Sequence, residues 1–197
     1  LAKINYGLYV LSTNHDGKDS ACIINTVNQV SGNPNRVAFA VNKANYTHEQ
    51  IVKSEKFAVS VLTEETPFSV FQNFGYHSGR DFDKFKDFDK TARCENGVLY
   101  LTDYTSAVFC GKVVSTQDCG SHTLFVADIE KSEVTSDVPS VTYDYYLKNI
   151  KQMPKIDEKK KGYVCKICGY VYEGDELPAD FICPLCKHGA ADFEKIV

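Results

Sequence analysis

The chain lacks most of the signatures that name a function at a glance. No apolar run approaches the roughly 20 residues that a membrane-spanning helix needs. The N-terminus shows no secretory pattern, and it starts at Leu1 rather than Met. There is no Gly-x-Gly-x-x-Gly, so no Rossmann dinucleotide site is expected, and nothing resembles a P-loop, a Ser-His-Asp set or a paired-carboxylate site. Internal repeats and low-complexity tracts are missing too. Lys and Arg number 22 against 26 Asp and Glu, and the net charge of -4 argues against bulk nucleic-acid affinity. What remains is 197 residues, 43% hydrophobic and 24% charged, the composition of a soluble globular protein with one ordinary domain and a small appendage.

Cysteine is the residue the chain does not lack. Four of its eight cysteines close the sequence as Cys165-Lys-Ile-Cys168 and Cys183-Pro-Leu-Cys186. Two CxxC pairs separated by 14 residues form a tetrathiolate metal site, each pair bending the backbone so that both sulfurs face one ion. Zinc would make this a structural clip, whereas iron would make it an electron carrier. The local residues favour iron. Gly169 can take positive φ and turn its N–H toward a ligand sulfur, a contact that stabilises the electron-rich reduced state. Tyr163, Tyr170, Tyr172, Phe181 and Phe193 would form a small core and keep water from the sulfurs. A module of 35 residues cannot stabilise itself by burial alone. It is also acidic, with six carboxylates against three lysines, whereas nucleic-acid-binding zinc ribbons usually run basic. Cys22, Cys94, Cys110 and Cys119 are scattered without pairing logic, and free thiols beside a metal tetrad fit a reducing cytoplasm.

The run Tyr163-Val-Cys165-Lys-Ile-Cys168-Gly169-Tyr170-Val-Tyr172, followed by Cys183-Pro184-Leu-Cys186, resembles a rubredoxin over residues 163–197. The resemblance implies one iron held by Cys165, Cys168, Cys183 and Cys186 and shuttling one electron. The middle loop is short, as in the compact module that ends rubrerythrins, and Lys187 stands where a second knuckle glycine is common. A zinc ribbon holding the tail together is the alternative.

Residues 151–162 carry five lysines, a Pro and a terminal Gly with few apolar anchors, and read as a linker of charge +3. The preceding 150 residues read as the large domain. Strands are expected over 7–12, 21–30, 36–42, 57–62, 98–104, 107–115 and 123–134, with a turn at His15-Asp16-Gly17-Lys18. Helices are expected over 47–55, with Thr47 as N-cap, and over 67–74, opened by Pro67. About seven strands and two short helices predict a mainly β fold, a closed antiparallel barrel. The alternating charges of 79–90, with Phe82, Phe85 and Phe88 at spacings of three, predict an amphipathic helix packed on that barrel. Tyr143, Tyr145 and Tyr146 fit interface packing or stacking on a planar ligand.

A one-electron iron centre needs an electron source, and a reduced nicotinamide delivers two electrons at once. A flavin converts between the two, so a flavin is expected in the large domain. Two polar segments could hold it. Asn25-Thr26-Val27-Asn28-Gln29-Val30-Ser31 sets polar side chains in a would-be strand, costly in a core but useful for bonding ring oxygens and nitrogens. Asn42-Lys43-Ala44-Asn45-Tyr46-Thr47-His48 precedes a helix N-terminus, where free N–H groups bind phosphate. Taken alone, Thr47 reads equally well as a mere cap.

In their order along the chain, Gly7–Thr13, Ala21–Ser31, Val37–Glu55, Phe57–Val61 and the run from Phe74 to Phe85 resemble the flavin reductase family of split β-barrels. So does Ser121-His122-Thr123-Leu124-Phe125-Val126-Ala127, with Ala127 where that family carries Gly. The resemblance implies FMN at a homodimer interface, open to NAD(P)H. By it, Asn25, Thr26, Val27, Gln29 and Ser31 line the ring and ribityl chain, and Asn42, Lys43, Tyr46 and Thr47 hold the phosphate end. Phe74, Ser78, Gly79 and Lys84 complete the pocket, and His122 lies beside the ring where hydride arrives, unless it is only a packed strand histidine. A flavin reductase-like barrel followed by a short rubredoxin resembles the high-molecular-weight rubredoxins. That implies a partner protein such as a flavodiiron oxygen or nitric-oxide reductase. A flavin reductase that releases reduced flavin, and a zinc-clipped flavin-binding module, are the rival readings.

Overall fold

The computed structural model describes residues 4–151, 162–184 and 189–196. Its larger part is built on one seven-stranded antiparallel sheet. Strands β1 (Tyr9–His15) and β2 (Lys18–Ile24) make a hairpin through Asp16 and Gly17, whose φ values are 50° and 76°. Two successive left-handed residues match the twist of the flanking strands, and Asp-Gly is the pair that tolerates this. There follow β3 (Val27–Gly32), β4 (Asn35–Asn42), helix α1 (Tyr46–Ser54), β5 (Lys56–Leu62) and helix α2 (Phe68–Gly75). A small hairpin of β6 (Thr91–Arg93) and β7 (Leu99–Leu101) precedes the long pair β8 (Thr105–Asp118) and β9 (His122–Val134). The sheet order is β2-β1-β5-β8-β9-β4-β3.

That order explains the curvature. Strands β2 and β3 are the two outer edges of the sheet, yet only Asn25 and Thr26 separate them in the chain. Two residues can span opposite edges only if the sheet curls until they meet, which makes a barrel split along one seam. The sequence reads as one strand over 21–30, but the seam cuts it. The Thr26 hydroxyl donates to the Ala40 carbonyl and accepts from the Ala40 N–H, both at 3.1 Å, so its side chain takes the place of a backbone rung on β4.

Alternation fills the barrel. Val37, Phe39 and Val41 of β4 point inward with Phe57 and Val59 of β5 and Phe125 and Ala127 of β9. Phe39 stacks on Phe125 at 5.5 Å and tilts against Phe57 at 5.2 Å. Ile51 of α1 joins this cluster. A second cluster lies under α2, where Val70, Phe71 and Phe74 meet Leu62, Leu101 and Tyr146. Gly111 sits at a bulge of β8, where a Cβ would collide with the Asp128 carbonyl.

Three local expectations change. Asn45, not Thr47, occupies the N-cap of α1, and it makes no side-chain cap bond. Thr47 is buried in the first turn, its hydroxyl 3.0 Å from that of Ser20. Pro67 is the N-cap of α2 rather than its first residue. Residues 79–90 form turns and no helix. Asp and Phe are weak helix formers, and the Asp83 carboxylate accepts from the Phe85 N–H at 3.0 Å, the local bond that competes with helix. Phe85 and Phe88 still pack on Phe74, but Phe82 stays outside and stacks on His77. Tyr146 is packing, with its ring 4.5 Å from that of Phe71.

The small module is a three-stranded sheet in the order β11-β10-β12, from β10 (Gly162–Cys165), β11 (Val171–Tyr172) and β12 (Phe193–Ile196). Gly162 has φ 130° and abuts the Tyr172 carbonyl, so no side chain fits there. Of the expected linker, Lys151 and Gly162 are described and 152–161 lie outside the described residues. No helix among the described residues is long and apolar enough to cross a membrane.

Candidate functional site

The knuckles converge. The sulfurs of Cys165, Cys168 and Cys183 all lie within 4.8 Å of one another, and Cys168 and Cys183 are 3.5 Å apart. Cys165 and Cys183 are fully buried. Cys186, the expected fourth ligand, lies outside the described residues. Gly169 has the predicted positive φ, 80°, and its N–H donates to the Cys165 carbonyl at 2.8 Å, tightening the first knuckle. Around the sulfurs pack Tyr163, Tyr170, Tyr172, Phe181 and Phe193, with Phe181 5.3 Å from Phe193 and 4.7 Å from Tyr172. Three thiols gathered in an aromatic shell, with no carboxylate or imidazole in the cluster among the described residues, fit a soft thiophilic ion.

The barrel carries a cavity of about 690 Å³ between the N-terminus of α1 and the loop after α2. That size falls within the roughly 300–1,000 Å³ of small-molecule and cofactor sites. Six of the sequence-named residues line it: Asn42, Tyr46, Thr47, Ser78, Gly79 and Lys84. Lys84 is its most informative member. The side chain is buried, its ammonium donates to the Phe74 carbonyl at 2.7 Å, and no carboxylate pairs with it among the described residues. Burial lowers its pKa from 10.5 to about 8, opposed by the nearby Cys22 sulfur. A buried cation without an anion, beside an uncapped helix start, fits a phosphate. Two further cations approach the Tyr46 ring, Lys18 Nζ at 4.5 Å and Arg80 Cζ at 5.3 Å from its centroid. Arg80 is held in turn by an ion pair with Glu49.

Other named residues are elsewhere. Lys43 turns away to Asp118, 2.7 Å distant at the β8–β9 hairpin. Phe74 offers only its carbonyl, because its ring is fully buried in the core. Asn25 lines an adjoining recess that shares Ile23, Gly75 and Tyr76 with the cavity. Val27, Gln29 and Ser31 lie on β3, the open edge of the barrel, where Gln29 bonds Asn35 at 3.0 Å. His122 stands opposite Asn42 in the β4–β9 ladder, with Nδ1 2.9 Å from the Ser121 hydroxyl, and is not part of the cavity wall.

Cys22, Tyr76 and Arg80 line the cavity without having been foreseen. Cys22 was legible in principle. It shares one face of β2 with Ser20 and Ile24, two residues away on either side, and burial pushes its thiol pKa up.

A family model described as "Flavin reductase like domain" matches residues 1–153, and one described as "Rubrerythrin, rubredoxin-like domain" matches residues 163–194. A protein named high molecular weight rubredoxin from Moorella thermoacetica is 33% identical over 100% of this chain and 98% of its own length. The chain belongs to the high molecular weight rubredoxin family. A ferric-chelate reductase (NAD(P)H) from Archaeoglobus fulgidus is 38% identical over 78% of this chain and 90% of that protein. Among solved structures, an FMN-binding protein from Thermus thermophilus superimposes with a TM-score of 0.62 at 19% identity, covering 68% of this chain and 72% of that one, a likeness of fold. As a member of the high molecular weight rubredoxin family the chain is an oxidoreductase that joins a flavin reductase-like split barrel to a rubredoxin-like electron-transfer module. The expected cofactor set, FMN and one iron, agrees with both family matches, and the rubredoxin-like match favours iron over a zinc clip.

Proposed function

We propose that the chain takes hydride from NAD(P)H at the barrel and passes single electrons through the tetrathiolate centre to a partner protein, such as a flavodiiron oxygen or nitric-oxide reductase. When bound, FMN supplies the two-to-one electron conversion and the iron the one-electron relay. The observation that carries the reading is Lys84, a buried ammonium that shares a cavity with an uncapped helix start and has no carboxylate partner among the described residues.

In this reading Lys84 Nζ, fixed by the Phe74 carbonyl, and the free N–H groups at the start of α1 hold the phosphate end. Thr47 is positioned by Ser20, and Gly79 lets the loop approach Tyr46, since a Cβ there would come within 3.1 Å of its ring. Asn25 and the edge strand β3 face the ring and ribityl end, and His122 lies near the incoming hydride. The four cysteines, Cys186 included, would hold the iron and supply a one-electron relay. The division into 1–150, 151–162 and 163–197, a homodimer that completes the flavin site along β3, and a cytoplasmic location belong to the same proposal.

Stopped-flow mixing with NADH or NADPH tests it. Loss of flavin absorbance should be followed by bleaching of the iron–thiolate band. Flavin reduction with no later bleaching would overturn internal transfer and leave a reductase that releases reduced flavin.

A further inference from the structure

Two isoleucines flank the ligand cysteines in the small module, Ile167 partly packed on the module's own core and Ile182 exposed. Ile167 sits between Cys165 and Cys168, and Ile182 directly precedes Cys183. Ile182 is 61% exposed even with the barrel alongside, so it meets the barrel by its edge. Both reach the barrel. Ile182 lines the cavity that holds Tyr46, Thr47 and Lys84, and Ile167 lines the adjoining recess with Asn25 and Tyr143. The two hollows share one wall, formed by Ile23, Gly75 and Tyr76, so the isoleucines stand on either side of a single ridge. That ridge is held in place: the Tyr76 and Tyr146 hydroxyls are 3.0 Å apart, and Gly75 lies so close to Ile23 that a Cβ would approach within 3.3 Å. Lys151, where the barrel chain ends, directs its ammonium to the Lys166 carbonyl at 3.5 Å, on the same knuckle.

We propose that the knuckle face of the module is a docking surface for the barrel of its own chain, with Ile167 and Ile182 straddling the Ile23–Gly75–Tyr76 ridge at the mouth of the flavin cavity. The purpose of the dock rests on the electron-transfer reading above, although the contact itself does not. It turns the ligand-bearing side of the module, rather than its acidic flank, toward the cavity. The occupant is the chain's own module because a tether of about ten residues raises the local concentration to the millimolar range, enough to fill a small apolar contact that separate chains would leave empty. Both side chains are apolar, so the dock resists salt.

Nuclear magnetic resonance of the full-length, isotope-labelled chain tests the contact independently of turnover. Paramagnetic iron in the module should broaden the signals of Ile23, Gly75 and Tyr76 relative to the zinc-loaded chain. The double variant Ile167→Glu/Ile182→Glu should lose that broadening while its iron–thiolate absorption is unchanged, and Ile182→Leu should keep it. In the Glu variant the iron-bleaching step should slow about tenfold relative to that variant's own flavin reduction, reflecting the lost local concentration. Equal line widths in the iron and zinc forms, or broadening that survives in the Glu variant, would overturn the dock. Labelled zinc-loaded chain mixed with unlabelled iron-loaded chain should show no broadening; broadening there would put a second copy's module in the site and overturn the own-chain assignment. Broadening without any iron reduction would sustain the dock and defeat the electron-transfer reading, and iron reduction without broadening would do the reverse.

Discussion

The barrel and the knuckle module solve the problem of holding a cofactor in opposite ways. In the barrel the fully buried rings of Phe39, Phe57 and Phe125 touch one another, while the candidate flavin cavity lies to one side between a helix start and a loop. In the module Cys165 and Cys183 are the most buried residues of its core cluster, and Phe193 is the other buried member. The ligands there are themselves the core. The barrel can therefore fold first and receive its cofactor as a guest, whereas the module has little to fold around until the ion arrives.

The contrast is sharpest when the metal is removed. Chelation, or Cys183→Ser, should abolish the iron–thiolate band and the hydrogen-exchange protection of residues 162–184, on the scale of the roughly 10–16 kcal/mol of a structural metal site, while the barrel's melting temperature hardly moves. A module that kept its protection without metal would break the comparison. The converse experiment is Phe125→Ala. It should cost the barrel about 3–5 kcal/mol, read as earlier denaturant unfolding, with the metal absorption of the module intact until global unfolding.

Lys84→Gln probes the guest without disturbing the host. FMN affinity should fall about ten- to a hundredfold, the size of a charge-assisted hydrogen bond, with barrel stability preserved or improved. Its pH dependence has a definite sign. Below about pH 8 the empty barrel buries a charged Lys84, and between there and the unfolded value of 10.5 the unfolded chain binds the proton that the folded one has released. Stability of the empty barrel therefore rises with pH across that window. A bound phosphate favours the ammonium, so FMN affinity should decline over the same range, and the Gln variant should lose that decline in titrations followed by flavin fluorescence. Lys43→Ala should have the smallest effect. Its charge is spent on an exposed pair with Asp118, so FMN affinity should change by less than about threefold.

The contrast also explains what was legible in the sequence. Cysteine spacing announces the metal site because ligand identity and ligand geometry are written in the same four residues. The strands of the barrel were readable from their period-two burial, as in Val37, Phe39 and Val41. The cavity was only partly readable, because its wall is assembled across β2, the start of α1 and the loop after α2. Lys43 and Lys84 look alike in sequence, and only the fold sends one to surface Asp118 and the other beneath Phe74. The 79–90 stretch carried a helical spacing of Phe that local Asp bonding and the inward turn of Lys84 overrode.

The dipeptide Asn25–Thr26 has a mechanical consequence. Because no ladder joins the two edges among the described residues, the cylinder is shut there by covalent chain rather than by backbone bonds. One inserted residue would pull the Thr26 hydroxyl off its paired bonds to Ala40, while β3 stays in register with β4 through their own hairpin. A single peptide cleavage would leave a curved but unfastened ribbon, so the fold should tolerate substitution of Asn25 far better than any change of length, whereas Thr26 is also needed for its bonds to Ala40.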